Sequence, residues 1–176
     1  MILDLSNLRQ GETTLSRRYD PSAFDGRSSQ FRVVTPVALL ATVQKDKDRF
    51  RLVGTLTTAL ELTCSRCLEP FQLPVNARFD VRYLPQSENT GEEREVEEDD
   101  LSDAFYRDEQ IDLGQLMEEQ FYLALPMKPL CRQDCKGLCA SCGTNLNEET
   151  CGCQVRWEDP RLAGLKALVT RDNDDA

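Results

Sequence analysis

Eight cysteines are the residues of this sequence whose type and spacing could do chemistry. Two of them form the CxxC motif Cys64–Cys67, and the other six fall within residues 131–153. Thiolates bind zinc and other soft or borderline metal ions, and a CxxC turn brings two of them onto one ion with little strain. Because the chain contains no histidine, a soft-metal site must be built from these sulfur atoms, with at most a carboxylate beside them.

The spacing within the second cluster favours a four-thiolate zinc site. Tetrahedral zinc binds sulfur at about 2.3 Å, and Gly143 and Gly152 allow the backbone to fold back near the sulfur atoms. The predicted ligands are Cys139, Cys142, Cys151 and Cys153. The remaining cysteines form a second candidate set: Cys64, Cys67, Cys131 and Cys135. We therefore expect one or two structural zinc ions.

Other assignments of these cysteines stay open at the level of sequence. One ion could instead be bound by a set that leaves Cys131 and Cys151 free: Cys135, Cys139, Cys142 and Cys153. Tetrahedral iron fits the same ligands, and an iron–sulfur cluster would need further support. A thioredoxin-like redox motif requires a CxxC that opens a helix in a βαβ unit, whereas CSRC lies between two strand patterns.

Catalysis finds no support in the sequence. A zinc ion with four thiolate ligands has no open position for a substrate, so such a site is structural. The chain has no histidine to act as a general base and no glycine-rich phosphate-binding motif. We therefore expect a non-enzymatic protein without a small-molecule substrate. The alternative that uses the same cysteines is a redox or metal-sensing protein.

The negative charge of the chain is concentrated in one segment. The net charge is −10, and residues 86–119 hold 14 acidic and two basic residues, whereas residues 1–85 hold nine acidic and 12 basic ones. Like charges repel one another, so we predict a solvated acidic loop over 86–108. The net charge opposes long-range attraction to bare nucleic acid, so any contact with RNA must be local.

Basic residues beside the cysteines are the candidate contacts to RNA or to a protein partner. They are Arg66, Lys128, Arg132 and Lys136. The alternative is that they are ordinary solubilising charges, since lysine and arginine are mostly exposed in any protein. If they act as a contact surface, replacing Arg132 and Lys136 by glutamate should weaken association with the partner and leave folding intact.

The fifty residues after position 30 have the period-two hydrophobic pattern of β-strands. Apolar side chains alternate in three runs, within 33–43, 52–62 and 71–83. Pro36 and Pro74 favour the edge or the end of their strands. These runs predict an antiparallel β meander, or a partly open barrel, with one buried face.

Two helices are expected to pack on these strands, which makes the fold class α+β. The first is predicted over 112–125, with Asp112 as the N-cap and Gln115 completing a capping box. The second is predicted to begin at Asp159, with Pro160 in the first helical position. Both apolar stripes are interpreted as core-packing faces.

The domain organisation follows from these elements. Residues 1–125 are predicted as the antiparallel β core with its acidic loop and helix. Residues 126–176 are predicted as a cysteine-rich zinc-knuckle module with a C-terminal helix, packed on the core. The start MILDLSNLRQ has neither the basic region nor the apolar run of a signal peptide, so we expect a cytoplasmic protein, with no membrane partner and with reduced cysteines.

Three motifs together resemble the YceD-like family of large ribosomal RNA subunit accumulation proteins. They are LELTCSRCLEPFQLPV, ALPMKPLCRQDCKGLCASCGTNLN and DPRLAGLKAL, in the family's order. The resemblance implies a non-enzymatic role in ribosome biogenesis, in the accumulation or processing of large-subunit (23S) ribosomal RNA. The implied partners are a pre-ribosomal particle, that RNA, or a processing or ribosomal protein. Because the C-terminal cysteines occur in only some members, zinc there implies a stabilising role in this branch.

Overall fold

The computed structural model describes residues 1–8, 10–86 and 103–153. The chain divides into two compact units, one of Met1–Ser65 with Glu69–Cys131 and one of Arg66–Leu68 with Arg132–Ala176. The first unit holds the strands and the α-helix that the structure describes. The described part of the second unit is a series of turns around cysteines.

A six-stranded sheet and a two-stranded sheet form the framework of the first unit. The strands are β1 (Ile2–Asp4), β2 (Gly11–Tyr19), β3 (Arg32–Val33), β4 (Val37–Asp46), β5 (Arg49–Thr63), β6 (Pro70–Pro85), β7 (Asp103–Tyr106) and β8 (Gln110–Asp112). The large sheet has the order β2-β4-β5-β6-β7, with β3 also beside β5, and β1 pairs with β8. The large sheet is open, so the described strands form a sheet that does not close into a barrel, where a meander or a partly open barrel was predicted.

The antiparallel expectation is wrong for the last strand of the large sheet. β7 pairs with β6 in parallel, with Arg82 opposite Asp103. A parallel pair needs a connection of about a dozen residues or more, and the segment 86–102 that joins these strands is long enough to provide it. The antiparallel prediction is confirmed for the pairs of β4 with β5 and β5 with β6, and β2, which the sequence did not predict, also pairs with β4 in antiparallel.

The first predicted strand is interrupted at Thr35 and Pro36. Proline has no N–H group to donate to a sheet, and the Thr35 side chain takes over part of the pairing. Its hydroxyl oxygen accepts from the Ala59 amide at 2.7 Å, while the Val34 amide donates to the Ala59 carbonyl at 3.0 Å. The run over 33–43 is therefore split into β3 and β4, and both strands lie along β5.

One α-helix, α1 (Leu113–Ala124), confirms the first helix predicted from the sequence. Asp112 caps it by accepting from the Gly114 and Gln115 amides at 2.7 Å and 3.4 Å. Within the described residues the Gln115 side-chain oxygen does not accept from the Asp112 amide, so the reciprocal arm of the capping box is not made, and the Gln115 side-chain nitrogen donates to Glu119 at 2.9 Å. The buried face of the helix carries Leu113, Leu116, Met117 and Phe121, which join the core beneath the sheet.

Two predicted features fall largely or wholly on residues that the structure does not describe. The helix expected from Asp159 lies within 154–176, and most of the acidic loop expected over 86–108 lies within 87–102. The described end of that loop range contains β7 rather than loop. Within the described residues, no helix is both long and apolar enough to cross a membrane.

The Asp112 cap makes the stability of the first unit sensitive to acid. Burial raises the pKa of this carboxyl, but hydrogen bonds from the Gly114 and Gln115 amides and the nearby N-terminal ammonium outweigh burial, so the pKa is lowered. A lowered folded-state pKa means that the carboxylate stabilises the fold above the unfolded pKa of about 3.9, and that this contribution is lost as the pH falls through the folded value.

We expect Asp112→Ala to lower the free energy of unfolding by about 1 kcal/mol at neutral pH. The difference from the wild type should begin to shrink below about pH 4, the unfolded-state pKa, and should disappear once the pH is below the lowered folded-state pKa. Urea denaturation at both pH values measures it, and Asp112→Asn, which keeps a capping side chain, is the control. If Asp112→Ala lowered the free energy of unfolding by the same amount at both pH values, the role of an ionised Asp112 as the helix cap would be contradicted.

Candidate metal centres

The eight cysteine sulfur atoms lie in two groups of four. In each group all four Sγ atoms are within 4.8 Å of one another. The buried tetrad consists of Cys64, Cys67, Cys131 and Cys135. The outer tetrad consists of Cys139, Cys142, Cys151 and Cys153. Four sulfur atoms about 2.3 Å from a tetrahedral ion are about 3.8 Å apart, so a contraction of no more than about 1 Å between any two sulfur atoms would seat an ion in either group.

This grouping selects among the ligand sets that the sequence left open. Cys135 lies with Cys64 and Cys67, and Cys139 lies in the other group. The alternative set that combined Cys135 with Cys139 and left Cys131 free is therefore not assembled. Instead, the Sγ atom of each cysteine lies within 4.8 Å of the other three Sγ atoms of its group.

The CxxC turn of the buried tetrad is fixed by backbone hydrogen bonds in the loop between β5 and β6. The Cys64 amide donates to the Glu69 carbonyl at 2.9 Å, and the Ser65 amide donates to the Pro129 carbonyl at 2.8 Å. Leu68 closes the loop in the left-handed region, with φ of 61°. A left-handed backbone conformation is costly for leucine, so the backbone hydrogen bonds of this loop must stabilise it.

A glycine-containing turn shapes the outer tetrad. The Cys139 amide donates to the Thr144 carbonyl at 2.8 Å, and the Gly143 amide donates back to the Cys139 carbonyl at 2.9 Å. Gly143 has φ of 75°, a conformation that glycine adopts without steric cost. Leu138 and Asn145 pair across the base of the turn. This geometry holds Cys139 and Cys142 on one side of a tight loop.

The two tetrads differ in their exposure to water. Cys64, Cys67 and Cys135 are at most 3% exposed, whereas Cys142 and Cys153 of the outer tetrad are exposed. Burying thiolate charge without a counter-charge is costly. A divalent cation would supply that counter-charge, and the buried tetrad needs it most.

The thiols of the outer tetrad influence one another strongly. The Thr144 hydroxyl lies 3.1 Å from the Cys142 sulfur. This contact, followed by the Thr144 amide and the thiols of Cys139 and Cys153, lowers the pKa of Cys142 to about 6. Hydrogen bonding and charge repulsion from Cys142 raise the pKa of Cys153 to about 12. The Cys142 thiol therefore ionises readily, and its negative charge opposes ionisation of Cys153. A divalent cation bound to the four sulfur atoms would offset this repulsion and displace the remaining protons.

Asn147 contacts the buried tetrad from outside the ligand set, and cysteine spacing did not reveal it. Its side-chain amide donates to the Cys135 sulfur at 3.3 Å. Its side-chain oxygen accepts from the Lys136 amide at 2.9 Å and from Arg132 at 2.8 Å. The sequence feature that could have indicated this contact is the pair of asparagines in TNLN (144–147), because an asparagine side chain often forms a turn by hydrogen-bonding to a nearby backbone amide. The Asn147 amide indeed donates to the Asn145 side chain.

We expect Asn147→Ala to weaken metal binding at the buried tetrad by about tenfold to 100-fold, the usual cost of losing an outer-shell partner. Competition with a chromophoric chelator measures the affinity. Gln133→Ala, an exposed change in the same segment, is the control. Equal chelator resistance in the two variants would contradict a role for the Asn147 amide.

The four basic residues predicted as contacts are all exposed, but two of them also have structural roles. The Arg66 guanidinium donates to the Cys135 carbonyl at 2.7 Å. Arg132 donates to Asn147 and lies 3.6 Å from the Asp134 carboxylate. The double replacement of Arg132 and Lys136 would therefore disturb the surroundings of Cys135. Lys136 and Lys128 are the better choices for testing a contact surface.

Most of the chain matches the sequence model of a known protein family. The family model described as large ribosomal RNA subunit accumulation protein YceD matches residues 52–169, well over half of the chain. This chain belongs to the YceD family. The match covers most of β5, all of β6 and α1, and both cysteine tetrads, and it confirms the resemblance carried by the three sequence motifs.

Curated relatives of this YceD-family chain come from plants and mycobacteria. The Zea mays protein named large ribosomal RNA subunit accumulation protein YCED homolog 1, chloroplastic, is 28% identical over 158 residues, which cover 76% of this chain and 53% of the relative. Its Arabidopsis thaliana namesake is 27% identical over 156 residues, covering 76% and 49%. An uncharacterized protein of Mycobacterium tuberculosis is 33% identical over 123 residues, covering 70% and 57%.

The YceD-family chain thus spans about half the length of the curated relatives it matches. No solved structure matches it.

Proposed function

We propose that this chain is a non-enzymatic accessory factor in ribosome biogenesis that supports the accumulation or processing of large-subunit (23S) ribosomal RNA in the cytoplasm. The observation that carries the proposal is the family match over residues 52–169. The names of the maize and Arabidopsis relatives agree with that description. The chain acts in this proposal by binding, and its partner is a pre-ribosomal particle, the RNA itself, or a processing or ribosomal protein.

The two tetrads support a binding role rather than catalysis. Each offers four thiolates, and an ion held by four thiolates keeps no position for a substrate. We assign zinc to both tetrads, as an ion that stabilises the turns in which these cysteines lie. Because a thiolate site rarely preforms in an unfolded chain, the binding free energy of the ion also stabilises the fold.

Deletion of the gene tests the proposed function directly. In deleted cells, the ratio of 23S to 16S ribosomal RNA should fall, and re-expression of the wild-type chain should restore it. Total RNA separated by electrophoresis gives the ratio. A ratio that is unchanged in deleted cells, with growth conditions and strain background matched, would overturn the proposal.

Lys136 tests whether binding uses the basic residues near the cysteines. Its side chain is exposed, and the contact described for this residue is made by its backbone amide. Lys136→Glu should reduce co-sedimentation with pre-ribosomal particles without changing the metal content. Lys47→Glu, on the turn between β4 and β5, makes the same charge change at another exposed position. Equal co-sedimentation of the two variants would remove Lys136 from the contact surface.

A redox or metal-sensing function is the second candidate, because Cys142 is exposed and its pKa is lowered to about 6. Low-pKa exposed thiolates are the ones that react with oxidants. Alkylation of the folded protein followed by mass spectrometry separates the two functions. Rapid modification of Cys142 with the metal retained would favour sensing, and protection of Cys142 until the metal is removed would favour the structural role.

A further inference from the structure

A polar cavity of about 490 Å³ lies in the first unit, away from the cysteines. It is bordered by α1, by β7 and by the paired strands β1 and β8. Its lining includes three carboxylates, from Asp108, Asp112 and Glu119, and one guanidinium, from Arg107. The N-terminal ammonium lies 3.5 Å from Asp112, so the balance of charge around the cavity is negative.

Tyr83 places a hydroxyl in this cavity without a partner. Its side chain lines the cavity although the residue is only 7% exposed. Among the described residues, no atom hydrogen-bonds to this hydroxyl. Burial, followed by the charges of Glu119 and Asp112, raises the pKa of Tyr83 to about 12, so the phenol remains protonated at neutral pH. The hydroxyl oxygen is not one of the fully buried unpartnered atoms of the described chain, so it faces the water of the cavity and is available to a ligand as a donor or an acceptor.

Glu119, like Asp108, is a carboxylate of the cavity that makes no salt bridge among the described residues, whereas Asp112 lies beside the N-terminal ammonium. Its described contact is with the neutral side chain of Gln115 at 2.9 Å. The ring of Phe105, which is 61% exposed, and the ring of Tyr106 stand in the wall of the same cavity. Aromatic faces attract guanidinium and ammonium groups. An anionic ligand would instead meet the uncompensated charge of Glu119.

We propose that this cavity binds the guanidinium group of an arginine side chain presented by a partner protein. The planar guanidinium carries five N–H donors, which matches the acceptors here: the Glu119 carboxylate and the Tyr83 phenol oxygen. Its faces can stack on an aromatic wall. This assignment does not depend on a role in ribosome biogenesis, so its test can fail without affecting that proposal.

The probe is the tripeptide acetyl-Gly-Arg-Gly-amide, titrated into the full chain at low salt and followed by amide chemical shifts. The neutral analogue with citrulline in place of arginine has nearly the same shape and no charge. Saturable shifts at residues 104–112 with the arginine peptide, and none with the citrulline peptide, are expected. Binding of neither peptide, or equal binding of both, would overturn the proposal.

Variants locate the binding within the cavity. Tyr83→Phe and Glu119→Gln should each weaken the arginine peptide at least about fivefold, as expected for losing one hydrogen bond to a charged group. The matched controls are Tyr122→Phe and Glu118→Gln, whose side chains instead contact Ser28 and Arg27. Tyr83→Phe removes a hydroxyl that has no protein partner, so folding should be unaffected. Equal affinity in the test and control variants would overturn the assignment.

Free arginine distinguishes a protein side chain from a small-molecule ligand. Its own carboxylate would meet Glu119 and Asp112 in the cavity, and like charges repel. We therefore expect free arginine to bind more weakly than the capped tripeptide. Equal or tighter binding of the free amino acid would overturn the assignment to a partner protein.

Discussion

Replacing Cys142 by serine should remove one metal ion per chain and loosen the turns of the second unit. A serine hydroxyl is not a thiolate, so the outer tetrad would be left with three sulfur ligands. Structural zinc contributes about 10–16 kcal/mol of apparent binding free energy in small zinc-finger peptides, which is far more than the turn hydrogen bonds can replace. The amides of Cys139, Gly143 and Leu146, which close these turns, should then exchange rapidly with solvent.

The β core of the first unit should survive that substitution. Its cluster of buried side chains, which includes Leu52, Leu56 and Phe121, contains no cysteine. Hydrogen exchange read residue by residue, together with native mass spectrometry, measures both effects. Ser141→Ala, at the exposed neighbouring position, should change neither. An unchanged metal content in Cys142→Ser, or a cooperative loss of protection in β4, β5 and β6, would contradict the expectation.

Phe121→Ala should lower the free energy of unfolding of the first unit by about 3–5 kcal/mol, the usual cost of removing a buried phenylalanine ring. Phe121 is completely buried on α1. Its ring meets the rings of Phe24 and Phe31 edge-on, with centroids 5.4 Å and 5.8 Å away. The substitution leaves a cavity between α1, the short 3₁₀ helix Pro21–Phe24 that carries Phe24, and the loop that carries Phe31.

Urea denaturation monitored by circular dichroism measures this loss. Leu123→Ala lies two residues further along α1 and is 79% exposed, so it should change the free energy by no more than about 0.5 kcal/mol. The two variants share the helix and differ in burial. A similar stability for both would show that the helix does not pack through Phe121.

The central strands β5 and β6 were predictable because apolar and polar residues alternate along their sequences. β5 and β6 alternate strictly between core-facing and outward-facing side chains, and this period is what specifies a strand with one buried face. α1 was predictable for a similar reason, since Asp112 is a strong N-cap and the apolar positions recur at helical spacing. The grouping of the cysteines agrees with the set that sequence spacing favoured.

β2 and β7 were not predicted because they lack that pattern. β2 has no fully buried residue along Gly11–Tyr19 and is held at the edge of the sheet through its pairing with β4. β7 is a four-residue strand whose partner, β6, is distant in sequence. Edge strands of this kind are defined by backbone pairing, which leaves little trace in side-chain periodicity.

The contacts of Asn147 and the cavity at Tyr83 could not be predicted for a different reason. Asn147 reaches Cys135 across a turn, and Tyr83 is an ordinary core-facing residue in the pattern of β6. Whether a polar atom finds a partner depends on the packing of elements that are remote in sequence. Spacing along the chain does not contain that information.

The metal content of the purified chain tests the central claim most directly. Native mass spectrometry counts the ions, and X-ray absorption at the metal edge identifies the element and its ligands. We predict two zinc ions per chain, each surrounded by four sulfur atoms at about 2.3 Å with no nitrogen or oxygen ligand. A folded chain purified without chelators that carries no metal, and whose eight thiols are all alkylated rapidly, would contradict the account.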